Sequence, residues 1–348
     1  MLEIDGSYGE GGGQVLRTSL SLAAITGQPI RIAGIRAKRK KPGLAAQHLT
    51  AVRAAARVCH AQMHGDALGS LNLEFIPSSY VQAGNYTFDV SEARQGSSAG
   101  AITLVLQTIL LPLSLASGDS LVTLRGGTHV NFSPTITYIQ QVYLPILQRM
   151  GIEAEVQLGA WGWYPQGGGE IKLRVRGGRK LSGINLVERG DLQQVRGLAV
   201  VTQLPAHIPQ RMANRAENLL QEAGLKVNIQ ALREKGVAPG AGIFLTAEYQ
   251  NSLTGFGGFG RLRMTSEKVA EIACKQLMRF HQTGAPVDEH LADQLLLPAV
   301  LSSNESQYRV AELSTHLTTN AAIIEQFRLA RITLDERENL VAVHPVCG

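Results

Sequence analysis

Four stretches of this chain follow one plan: a short apolar strand, a polar loop and an amphipathic helix. They are IRIAGIRAKRKKPGLAAQHLTAVRAAARV from Ile30, LVTLRGGTHVNFSPTITYIQQVYLPILQRM from Leu121, VRGLAVVTQLPAHIPQRMANRAENLLQEAG from Val195 and YRVAELSTHLTTNAAIIEQF from Tyr308. Recurrence of one supersecondary unit restricts the chain to layered folds in which units pack on shared cores. Strands and helices alternate along its whole length, which sets the class as α/β or α+β. The loops KRKKPG, HVNFSP and HLTTN then lie at helix N-termini, where free N–H groups and the helix dipole favour anions. Packed around a common core, the units would bring these loops to one face as an anion-binding cleft.

At roughly 150 residues per domain, 348 residues predict about two domains. The stretch from Leu186 to His281 has its own strand and helix pattern and the glycine-rich TGFGGFGRLRM. It reads as a smaller inserted domain, 186–281, within a large one made of 1–185 and 282–348. A net charge of +5 suits a polyanionic partner without requiring one. Cys59, Cys274 and Cys347 are odd in number and far apart, so no disulfide framework or zinc cluster is expected and a reducing compartment fits. The opening MLEIDGSYGE has no basic then apolar signal-peptide pattern. AITLVLQTILLPLSLA, from Ala101, is too short to span a bilayer and reads as a buried core helix. A cytoplasmic protein is expected.

Several catalytic signatures are missing. No Gly-Lys dipeptide occurs, so there is no P-loop, and neither KxDG nor HExxH is present. GFGGFG from Gly255 matches GxGxxG only formally, because no acidic residue follows at the spacing that dinucleotide binding needs. More informative is GEGGGQVLRTSLSLA, where Glu10 precedes three glycines and Arg17 follows inside a helical pattern. GIRAKRKKPGLAAQHL carries Arg36, Lys38, Arg39, Lys40 and Lys41 ahead of Pro42, a residue suited to a first helical turn. Guanidinium groups there suit bidentate capture of phosphate, and Gln47 and His48 lie further along. Strand alternation predicts Arg36 and Lys38 on one side. His316 stands among short hydroxylated residues at a helix start, and His290 and Asp293 share a helical face. In WGWYPQGGGEI, Glu170 after three glycines reads as a tight turn between strands.

Taken together, GEGGGQVLRTSLSLA, GIRAKRKKPGLAAQHL, ITLVLQTILLP, YPQGGGE, DEHLADQLLLP and THLTTN resemble, in order, the RNA 3′-terminal phosphate cyclases. The resemblance runs from about residue 4 to 330. It implies a large domain of repeated strand–helix units similar to enolpyruvyl transferases, with a smaller inserted α/β domain. It implies ATP-dependent conversion of RNA 3′-phosphate ends to 2′,3′-cyclic phosphates. His316 is the implied nucleophile, taking AMP from ATP before passing it to the RNA. Arg17, Arg36 and Arg39 are implied around the phosphates, Gln47 and Gln107 as polar contacts to the nucleotide, and Glu10 as the holder of Mg²⁺ or Mn²⁺. Asp293 and Gln294 match positions near sugar and base. His290 stands where the family usually has a tyrosine stacked on adenine, and Pro134 is implied as the opposite wall. RGGTHVNFSP departs from the family's usual acidic-asparagine version. The family also holds non-catalytic relatives that act in ribosome assembly and lack the histidine, so His316 argues for an enzyme. A transferase of the enolpyruvyl type is a third reading, supported by fold analogy alone.

Overall fold

In the computed structural model, which describes residues 1–94 and 96–346, the chain begins with strand β1 (Leu2–Asp5). A glycine turn leads straight into helix α1 (Gly13–Thr26). Strand β2 (Ile30–Ala33), helix α2 (Ala46–Cys59) and strands β3 (Gln62–His64) and β4 (Leu73–Ile76) complete a first sheet in the order β1-β2-β4-β3. Its inner face alternates with the strand period: Ile30 and Ile32 are buried, while Arg31 between them is exposed and ion-paired to Glu3 and Glu74.

The second sheet contains β5 (Asn85–Asp89), β6 (Ser120–Gly126), β7 (Ala154–Ala160) and β8 (Gly169–Val175), ordered β5-β6-β8-β7. Helix α3 (Ile102–Leu115) lies between β5 and β6 in sequence. Val105, Leu106, Ile109, Leu110 and Leu113 of α3 are wholly buried, each worth about 1.5–3 kcal/mol of apolar burial. That explains a helix apolar on nearly every side without a membrane, and no described helix is long and apolar enough to cross one. Helix α4 (Ile136–Tyr138) continues through a widened turn, Ile139–Tyr143, into α5 (Leu144–Arg149).

After β9 (Asn185–Leu186), strands β10 (Leu192–Thr202), β11 (Val227–Glu234), β12 (Gly240–Tyr249) and β13 (Leu253–Phe259) make a sheet ordered β11-β10-β12-β13. Helices α6 (His207–Glu222) and α7 (Ser266–Thr283) cover it over a core that includes Met212, Leu220, Ile243 and Leu277. Helix α8 (Glu289–Val300), strand β14 (Ser306–Arg309), helix α9 (Thr315–Glu325) and strands β15 (Ala330–Asp335) and β16 (Leu340–Pro345) follow. Strand β14 pairs in parallel with β9, so the sheet β15-β16-β14-β9 joins chain from both sides of β10–α7.

The four strand–loop–helix stretches appear as β2–α2, β6–α4, β10–α6 and β14–α9. Two details differ from the sequence reading. Helix α2 starts at Ala46 rather than near Pro42, because Gly43 adopts a left-handed φ of 75° with its Cα packed on the Gly69 backbone. Strand β2 stops at Ala33, and Arg36 has a φ of 53°, so strand alternation does not govern Arg36, Lys38 and Arg39. Cys59 and Cys274 are buried and unpaired, and Cys347 lies outside the described residues.

Candidate active site

Several helices start at one cleft of about 1130 Å³. Gln14 and Arg17 come from the first turns of α1, Gln47 and His48 from α2, His290 and Asp293 from α8, and His316 from α9. Pro134 immediately precedes Thr135, whose hydroxyl caps α4 by accepting the Tyr138 N–H at 3.0 Å. Asp288 caps α8 by accepting the His290 and Leu291 N–H groups, each at 2.9 Å. Ser314 caps α9 through the Leu317 N–H. Converging helix N-termini give the cleft a positive potential before any side chain is counted.

All eleven residues that the resemblance implies for the site line this cleft: Glu10, Arg17, Arg36, Arg39, Gln47, Gln107, Pro134, His290, Asp293, Gln294 and His316. The His316 imidazole is the centre of their arrangement and is 48% exposed. Its Nε2 lies 3.2 Å from a Glu10 carboxylate oxygen, which also accepts from Arg39 Nη2 at 3.0 Å. Its Nδ1 lies 2.9 Å from Gln14 Oε1. The other end of that amide donates to Asp293. Asn320 fixes Asp293 from behind, donating to its backbone carbonyl at 2.9 Å while accepting from Thr18 at 2.7 Å. Gln14 therefore ties α1, α8 and α9 together at the imidazole. Asp293 accepts from the Gln14 NH₂, and once ionised, above pH about 7, it can only accept, so the Gln14 carbonyl is turned to His316. With its carbonyl at Nδ1, Gln14 holds a proton there, while Nε2 faces the Glu10 carboxylate and becomes a free lone pair when Glu10 turns to another partner.

The electrostatics agree with this crowding of cations. Burial lowers the Arg17 pKa to about 10, against the pull of Asp293. Burial also lowers Arg36, helped by neighbouring Arg39. His48 drops to about 3, from burial first and then from Arg36 and Arg17. For His316, burial lowers the pKa, with Arg17, Arg39 and His290 adding to the effect and Glu10 opposing it. Burial thus favours the neutral ring. Asp293 is pushed up to about 7, chiefly by burial.

The glycine turn before α1 is needed for this approach. Gly9 has a left-handed φ of 57°, and a side chain there would run into Thr319 of α9; one at Gly13 would run into His48. Glu10 is not a helix cap, since α1 is preceded by Gly12 with no side-chain capping bond. Arg36 steadies its own loop by donating to the Gly43 carbonyl at 2.6 Å. Gln47 accepts the Ala101 N–H at 2.9 Å, tying α2 to the start of α3. Buried Gln107 Nε2 and Gln294 Oε1 have no hydrogen-bond partner among the described residues, an expensive arrangement unless a ligand completes it.

Across nearly the whole chain, residues 8–334, the sequence matches the family model described as RNA 3′-terminal phosphate cyclase. The chain belongs to that family. Relatives named RNA 3′-terminal phosphate cyclase include proteins of Nostoc punctiforme, 79% identical over 99% of both chains, and Methylococcus capsulatus, 53% identical over 99% of this chain and 96% of that one. The Salmonella agona protein is 40% identical with the same coverage as the latter. A solved enolpyruvyl transferase, NikO from Streptomyces tendae, aligns over 99% of this chain and 81% of that one, with 13% identity and a TM-score of 0.26. The mixed α/β class with repeated strand–helix units rests on the sheets described above.

In this cyclase-family chain, other conspicuous sequence features fall elsewhere. His129 is buried between the Thr128 and Thr137 hydroxyls, beside Trp161, Trp163 and Phe244, and packs the interior. Glu170 pairs with Arg125 across β6 and β8. GFGGFG is an edge strand rather than a strand-to-helix turn. Gln14 escaped the sequence reading because a single amide within an apolar helical pattern carries no chemical signature; its position in the first turn of α1 beside Arg17 was the available clue.

Proposed function

We propose that this protein converts RNA 3′-terminal phosphates to 2′,3′-cyclic phosphates at the expense of ATP, with His316 as the covalent nucleophile. The observation that carries the reading is an imidazole with Nδ1 held by Gln14 and Nε2 facing a cleft where Arg17, Arg36 and Arg39 converge. The Nε2 lone pair attacks the α-phosphorus of ATP as the bond to pyrophosphate breaks, leaving AMP on nitrogen. An oxygen of the RNA 3′-phosphate then attacks that phosphorus, and the imidazole leaves with its electron pair. The ribose 2′-oxygen attacks the 3′-phosphorus, loses its proton and expels AMP. Splitting the transfer this way converts a poor leaving group into a good one. Charge gathered at each step is met by guanidinium groups already in place.

Gln107 and Gln294 are read as nucleotide contacts, which their unpartnered buried atoms support. His290, 64% exposed at the start of α8, and Pro134 are read as the two sides of the adenine slot. No cluster of three or more carboxylate, histidine or thiol ligands occurs among the described residues. Glu10 alone still suits Mg²⁺ or Mn²⁺, since such ions use one or two carboxylates and take their other ligands from water and phosphate. When bound, the ion would neutralise triphosphate charge. Residues 186–281 are read as an inserted unit, supported by their separate core and by the β9–β14 pairing that closes around them. Use of ATP and the unpaired thiols suit the cytoplasm.

Incubation with α-labelled ATP tests the reading. An acid-labile, alkali-stable protein–AMP adduct should form and be absent from His316→Ala. No adduct in the wild-type protein would favour the non-catalytic RNA-processing alternative. An adduct that survives His316→Ala would remove His316 from the chemistry.

A further inference from the structure

The nucleotide end occupies only part of the cleft. Its far wall is the glycine-rich edge strand β13, the loop after it and the adjoining face of α7, including Gly255, Gly257, Gly260, Arg261 and Arg279. Two features of that wall, and one of the loop before α4, call for a ligand. As an edge strand, β13 turns alternate backbone N–H and C=O groups away from β12. Arg261 and Arg279 are exposed, and no carboxylate among the described residues pairs with either; the nearby acids Glu267 and Glu271 are engaged by Arg211 and Arg215. Phe132, also on the cleft, is fully exposed at 103% and has a left-handed φ of 61°. A bulky residue pays for that conformation, and such strain gathers at binding sites.

We infer that the RNA strand leading to the 3′-phosphate lies along β13, with Arg261 and Arg279 on its phosphates and Phe132 stacked on a base. This rests on the reading of the cleft as a cyclase site and extends it to the strand path. An unpaired cationic wall with an exposed aromatic ring, continuous with the nucleotide site, is what single-stranded RNA requires. The glycines leave the backbone open to the strand. They also serve packing, since a side chain at Gly255 would crowd Tyr138 and Val142, so the arginines and Phe132 are the positions to test.

Binding of a fluorescent 3′-phosphorylated oligoribonucleotide, without ATP, is measured by anisotropy across a salt series. Arg261→Ala and Arg279→Ala should each weaken binding about five-fold at 0.1 M salt and flatten the log K against log salt slope by about 0.7. Arg279→Lys should keep the slope. Phe132→Ala should weaken binding on the order of ten-fold with the slope unaltered. Wild-type affinity and slope in the Arg261→Ala, Arg279→Ala double variant would overturn the track. So would a parallel loss of AMP-adduct formation in reactions without RNA, which would mean that the arginines act on the nucleotide site or the fold. Absence of the adduct from the wild-type protein would instead refute the chemistry assigned to His316, and the track would still be decided by the binding data.

Discussion

Asp293→Asn is expected to separate stability from activity in a pH-dependent way. The Asp293 carboxyl has a pKa of about 7 in the folded protein against an ordinary 3.8. Between those values the folded state binds the extra proton, so stability is fully present below pH 4 and is lost as pH rises through 7. The full displacement corresponds to ~4 kcal/mol of destabilisation by the ionised group above pH 7. Because the cleft is open to water, roughly 2–4 kcal/mol is the working range. Asparagine is neutral and nearly isosteric, so it should remove that penalty. At about 2.1 cal/mol/K of unfolding entropy per residue, the variant should melt roughly 3–5 °C higher than wild type at pH 8 and together with it at pH 4. Activity should move the other way. Asparagine offers both a donor and an acceptor, so Gln14 is no longer forced to present its carbonyl to His316. Loss of that constraint, worth about 1.5–3 kcal/mol, should slow AMP-adduct formation by roughly 10- to 100-fold. Melting curves from pH 4 to 8.5, with single-turnover labelling by ATP, measure both effects. A melting difference independent of pH would refute the assignment of a raised carboxyl pKa. Wild-type labelling would refute the role given to Gln14.

Further outcomes follow from the same geometry. Gln107→Leu removes an unpartnered buried amide, so the nucleotide-free protein should melt no lower than wild type while ATP binding, by calorimetry, weakens about ten-fold. His48 and His129 both have folded pKa values near 3, so the unfolded chain binds more protons below pH 6.5. Each should then cost ~1.4 kcal/mol of stability per pH unit on acidification from 6.5 towards 3, and His48→Gln should make the denaturation profile shallower. Glu10 opposes the lowering of the His316 pKa, so Glu10→Gln should shift the acid limb of adduct formation to lower pH as well as reduce its rate. An acid limb that stays in place would contradict the contact between Glu10 and His316.

The parts of this molecule that follow a local rule could be read from the chain. Strand–loop–helix units announce themselves by apolar period, so β2–α2, β6–α4, β10–α6 and β14–α9 were visible. The chemistry-bearing types were visible as well, because guanidinium groups beside glycines and a histidine at a helix start are unusual in composition. Local rules failed where backbone conformation was set by distant packing. Gly43 against the Gly69 backbone delayed α2 past Pro42, and the left-handed Arg36 broke the expected alternation. What no local rule could supply is the relation among α1, α8 and α9, whose first turns lie up to 302 residues apart yet meet at one amide. Gln14 has meaning only there: remove α8 and its NH₂ has no carboxylate, remove α9 and its carbonyl has no imidazole. The same reasoning explains why a neutral amide suits the position better than a carboxylate. A glutamate would place a second carboxylate against Asp293; when both ionise they repel, and the side chain no longer bridges α8 and α9. Gln14→Glu should therefore impair adduct formation more at pH 8 than at pH 6, which distinguishes a tautomer-setting amide from a simple spacer.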